Sequence, residues 1–141
     1  MNDEDRSGSR IRRFFECPVR WRVAFGVYAL ILVTLTHWPK LAIAGPIPRT
    51  DLVAHLGAFG LWAMLLAGAR WFGSAASPRN LLICGVIGVV YAAVDELTQG
   101  FEALGRTVAL SDWIANIVGI SMGLCAVLIV FRTRAPSGKS Q

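Results

Sequence analysis

Four apolar runs, each near the length that crosses a bilayer, constrain this chain more than any other feature. They cover residues 23–38, 52–72, 81–100 and 112–131. About 20 apolar residues in a helix span a hydrocarbon core of ~30 Å. Composition agrees: charged residues make up 16% of the chain and mean hydropathy is +0.54, whereas a soluble domain carries about 25% charged residues. The expectation is an all-α, polytopic membrane protein, one bundle of four transmembrane helices over residues 23–131. A basic tail, residues 1–22, precedes it, and a polar tail, residues 132–141, follows.

The loops set an orientation. With both termini cytoplasmic, eleven basic side chains lie on the inner side and only Lys40, Arg49 and Arg106 on the outer side. Short cytoplasmic loops carry an excess of Lys and Arg, so this topology is expected, in the cell inner (cytoplasmic) membrane. The first tail holds six arginines and reads as a segment resting on anionic lipid. Its Arg12-Arg13-Phe14-Phe15 has the form of a twin-arginine signal. Ala42-Ile43-Ala44 has the small-x-small form of a cleavage site. The long apolar run between them favours anchoring over export. Trp21 and Trp38 are placed as interfacial aromatics. The basic excess is clustered without aromatic interleaving, so no nucleic-acid partner is expected. Cys17, Cys84 and Cys125 form no C-x-x-C pair and no disulfide framework.

The stretch from Val90 to Gly123 breaks the apolar pattern. Asp95 and Glu96 sit before the third run ends, and Asn116 lies one turn into the fourth. An ionisable side chain at membrane depth is expensive, and so marks a functional site by default. In the expected topology every unusual polar residue falls at the outer end. The second run opens with Asp51, with His55 at i+4. The third leaves through Asp95, Glu96 and Gln99, and the fourth opens with Asp112, with Asn116 at i+4. Asp112, Asn116, Gly119 and Gly123 share one stripe, and Gly119-x-x-x-Gly123 is a small-residue packing face. Asp95 is expected to face the bundle centre, with Glu96 rotated ~100° toward a neighbouring helix.

Bland readings stand beside these. Asp51 and Asp112 suit helix N-termini as caps. His55 reads equally as an interfacial histidine bonded to Asp51, and Arg106 as a solvated loop arginine. Asp95-Glu96 has no such inexpensive explanation.

The ordered set Asp51-x-x-x-His55, Asp95-Glu96-x-x-Gln99, Arg106, Asp112, Asn116 and Gly119-x-x-x-Gly123 resembles the VanZ-like family of bacterial integral membrane proteins. The resemblance runs from about Pro39 to Phe131. It departs at Leu52, where many relatives carry Lys. It implies a small helical protein of the cell envelope, in a family whose founding member is associated with low-level teicoplanin resistance.

The chemistry open to such a set is acid–base work by Asp95, Glu96 and His55, with Asp51, Gln99, Arg106, Asp112 and Asn116 binding a substrate. Arg106 suits a phosphate or carboxylate. That would make an outward-facing polar pocket for a lipid-linked precursor or another anionic head group. No cofactor is expected. His55, Asp95, Glu96 and Asp112 offer donors for a divalent metal, but without the local spacing of a metal motif. The alternative is a non-catalytic scaffold, in which the polar network specifies packing or a partner interface, homo-oligomers included.

Overall fold

The computed structural model describes residues 17–38, 49–100 and 109–133. The described residues form four helices packed together: α1 (Pro18–Thr36), α2 (Thr50–Gly68), α3 (Pro78–Gln99) and α4 (Leu110–Thr133). All four are long and apolar enough to cross a membrane. The all-α, four-span architecture is therefore as expected. The twin-arginine-like segment, the small-x-small segment and Arg106 lie outside the described residues.

Helix boundaries differ from the apolar runs for local reasons. α1 starts at Pro18 rather than Val23, because proline is tolerated in a first helical turn. Pro18 to Arg22, expected as the end of the tail, is thus helical. α2 begins after Arg49 and stops at Gly68, four residues short of Phe72. Arg49 and Arg70 both take left-handed backbone conformations (φ 60° and 57°), a region that ends a helical run for any residue but glycine at some strain. α3 starts at Pro78, three residues early, because Ser77 caps it. The Ser77 hydroxyl accepts the Asn80 amide at 3.3 Å.

The strongest packing is between α2 and α4, where small residues let the backbones touch. A methyl group added at Gly119 would overlap the Leu56 carbonyl. One added at Gly123 would overlap the Gly60 carbonyl, and one at Gly60 would come within 3.0 Å of the Gly119 oxygen. Close backbone approach through small residues is how helices associate where lipid is as apolar as leucine. Around this seam, Phe59, Trp62, Ala63, Leu66, Cys84, Ala92, Ile120 and Val127 are buried. Trp62 stacks on Tyr91 of α3 at 5.0 Å. The outward face is apolar: Val23, Leu30, Val53, Leu82, Val90, Leu97, Met122 and Ile129 are among the exposed side chains. It suits contact with acyl chains.

The ends of the bundle differ. At one end Trp21, expected at the interface, is turned inward against Phe131 and over Gly68. Arg22 donates to the Ala69 carbonyl (3.1 Å), and Arg70 lies over the Phe131 ring. Asn80, fully buried, closes the α2–α3 connection. Its amide nitrogen donates to Ala67 and Ala75 carbonyls (3.0 and 3.1 Å), and its oxygen accepts from the Phe72 amide (3.3 Å). The other end holds the acids.

The seam makes a direct forecast. Gly123→Leu should lower the melting temperature in detergent by the equivalent of about 1–3 kcal/mol or more, since overpacking against backbone finds no room. Gly26→Ala should not lower it, because nothing lies within 4 Å of a methyl there and alanine suits a helix interior better than glycine. A thermal-shift series on the purified protein separates the two. Equal melting of both variants would contradict this packing.

Candidate functional site

Four helix ends bring the polar side chains together: the C-termini of α1 and α3 and the N-termini of α2 and α4. They form two clusters that share the adjacent pair Asp95 and Glu96.

Asp95 belongs to the first cluster, between α1 and α3. It is 1% exposed, and both carboxylate oxygens have donors. The Thr36 hydroxyl donates to Oδ1 at 2.8 Å, and Gln99 Nε2 donates to Oδ2 at 2.7 Å. His37 lies at the rim. Its Nδ1 is 3.0 Å from both the Val33 carbonyl and the Thr36 hydroxyl and 3.8 Å from Asp95 Oδ1. Its Nε2 is 2.9 Å from the Thr98 hydroxyl. The Thr98 hydroxyl also lies 2.8 Å from the Val94 carbonyl. Asp95 therefore ties α1 to α3 instead of facing His55.

Glu96 belongs to the second cluster, among α2, α3 and α4. It is 4% exposed. Its Oε1 accepts the backbone amide of Ala109, immediately before α4, at 2.6 Å. Its ionisable neighbours are Asp112 and His55. His55 of α2, 7% exposed, sets Nδ1 3.0 Å from Asn116 Oδ1 and Nε2 3.7 Å from Asp112 Oδ2. With an amide oxygen facing it, Nδ1 carries a proton, and a second proton on Nε2 would complete an ion pair with Asp112. Asp112 also accepts from the Ser111 hydroxyl at 3.0 Å. Ser111 and Asp112 lie inside the first turn of α4 rather than capping it, because the helix begins at Leu110.

The rotation of ~100° separates the two acids. Asp95 lies on the buried stripe with Cys84 and Gly88 and bonds to α1, and Glu96 turns to the start of α4. Asp51 is half-buried in the first turn of α2. His55 pairs with Asn116 and Asp112 rather than with Asp51. Gly119 and Gly123 continue the Asn116 stripe as the contact with α2. Among the described residues no group of three His, Cys, Asp or Glu side chains is arranged to hold a metal ion.

Thr36, His37 and Thr98 escape a reading of the sequence. They close the first and third runs, where hydroxyls and a histidine pass for ordinary interfacial residues. One signal existed: both of the chain's histidines fall at the same end of the bundle.

Two buried atoms in the second cluster remain without hydrogen-bond partners, Glu96 Oε2 and Asn116 Nδ2, and so does Trp113 Nε1 on the same turn of α4 as Asn116. Every other oxygen or nitrogen described for the Asp95 cluster is engaged. The first cluster is closed, and the second holds spare bonding capacity.

Comparisons with protein-family models, curated proteins and solved structures found no match to this chain.

The closed cluster yields a stability forecast. Thr36→Val leaves Asp95 Oδ1 buried without its hydroxyl donor, a loss of about 1–3 kcal/mol. Unfolding followed by hydrogen exchange should show faster exchange in the last turns of α1 and α3 before any change in α2. Protection unaltered in both helices would contradict the role given to Asp95.

Proposed function

We propose that this chain is a VanZ-like integral membrane protein of the bacterial cell envelope. Its polar end faces outward and receives the head group of a lipid-linked or cell-wall precursor, which alters susceptibility to teicoplanin-type glycopeptides. One observation carries the reading: the carboxyl group of Glu96, buried among apolar helices, keeps one oxygen free, with His55 and Asp112 as its ionisable neighbours. A carboxylate used only for packing would have both oxygens bonded, as Asp95 does. Glu96 is the carboxyl group suited to proton transfer, Asp112 and Asn116 hold His55 beside it, and Asp95 positions α1 against α3. The chain's charge distribution supports the inner-membrane topology. The ordered polar set supports the family resemblance.

A scaffold reading has its own support in the Asp95 clasp, which is complete and needs no ligand. It predicts that the polar residues act together through stability.

Complementation of a deletion strain divides the two. The near-isosteric His55→Gln and Glu96→Gln should accumulate in the membrane near wild-type level and fail to restore the envelope-lipid and precursor profile. Asp95→Ala should lower abundance as well. If His55→Gln and Glu96→Gln restore the profile fully, or if loss of protein alone accounts for their failure, the head-group reading falls and the scaffold stands.

A further inference from the structure

The bonding capacity left open in the second cluster has a definite chemical character. Glu96 Oε2 is an acceptor from α3. Asn116 Nδ2 and Trp113 Nε1 are donors from the first turns of α4. Glu96 is 4% exposed and Asn116 is fully buried. Buried polar atoms without partners are uncommon, and each needs a reason. Three at one end of one bundle, on facing helices, point to a group that both donates and accepts.

Charge narrows the class further. The cluster sets Glu96 and Asp112 against one imidazole, with Asp95 on the adjacent residue. An anionic phosphate would be set against two carboxyl groups, with a single imidazole to offset them. A cation would meet Glu96 favourably but would face the N–H group of Asn116, which has no lone pair to offer it. A neutral hydroxyl satisfies both sides, since its hydrogen goes to Glu96 Oε2 and its oxygen accepts from Asn116 Nδ2.

We propose that the Glu96–Asn116 layer binds an alcohol hydroxyl of a polyol or sugar head group, selecting the hydroxyl and not the phosphate beside it. This rests on the head-group reading above and names what the head group must carry. Any phosphate stays outside the layer, toward the membrane surface. Hydroxyl-bearing lipid and free polyol share the chemistry, and the experiment separates them.

The test uses the full-length protein purified in detergent, with lipid retention read by native mass spectrometry. The probes share acyl chains and differ in head group: phosphatidylglycerol, phosphatidylmethanol and phosphatidylethanolamine. The first two carry the same charge, and only phosphatidylglycerol has hydroxyls. Wild type should retain phosphatidylglycerol about tenfold better than phosphatidylmethanol, the scale of leaving buried partners unpaired. Glu96→Gln puts an N–H group where Oε2 was, and Asn116→Asp puts an acceptor where Nδ2 was. Both are near-isosteric, and each should abolish the preference. If one fails to fold, the other decides. Displacement of phosphatidylglycerol by excess free glycerol would assign the site to a soluble polyol, and persistence would assign it to lipid; both uphold the hydroxyl.

Equal retention of phosphatidylglycerol and phosphatidylmethanol would overturn the proposal while leaving head-group binding intact. So would preference for phosphatidylethanolamine, or a preference unchanged in both variants, as when only water fills the layer. Retention of none of the three lipids by wild type would overturn it as well.

Discussion

A polar side chain inside hydrocarbon must find its partner within the protein, because no water is there to serve. That constraint organises this bundle. Apolar residues along most of each helix permit insertion but discriminate little between one helix rotation and another. The acids, amides and imidazoles at one end do discriminate. Asp95 is satisfied only when α1 presents Thr36, and His55 only when α4 presents Asn116. Glu96 reaches the Ala109 amide across the α3–α4 connection. Each bond joins a different pair of helices, so together they fix rotation and depth at once.

The glycine seam supplies what the polar end lacks. Hydrogen bonds at one end would leave the rest of α2 and α4 free to splay. Gly60, Gly119 and Gly123 bring those two backbones into contact below His55 and Asn116. His55, Asp112 and Asn116 are thereby mounted on the most closely packed pair of helices, and Glu96 reaches them from α3. Rigid elements position side chains better than loops do, and here a single small-residue stripe serves both packing and placement.

Much of this could be read from the sequence. Helix number and the level of Asp95, Glu96, His55, Asp112 and Asn116 follow from apolar length and counting along α-helical rise. Which acid joins which cluster did not follow. Asp95 and Glu96 are neighbours, and deciding between them needs the absolute rotation of α3. That rotation is set by Thr36 and Gln99 on one side and by Ala109 on the other. Periodicity gives relative faces and is silent on the absolute one. Thr36 and His37 were missed because α1, the least buried of the four helices in its core window, has no Lys, Arg, Asp or Glu in its last turn to draw attention to that end. Asn80 was missed for the same reason: it looks like any loop-side amide until the Ala67 and Ala75 carbonyls are seen around it.

The most direct measurement is of depth. Nitroxide labels at Leu35, Val53, Leu97 and Ile114 would sit on exposed positions beside Thr36, His55, Glu96 and Asn116, one on each helix, without touching the buried network. Their immersion in reconstituted bilayers can be read from the balance of oxygen and nickel-chelate collision rates. If the polar ends of all four helices lie at one level, the labels should report depths within about one helical turn, ~5 Å, of each other, near the same membrane face. A label deep in the hydrocarbon, or one on the opposite face from the other three, would contradict it.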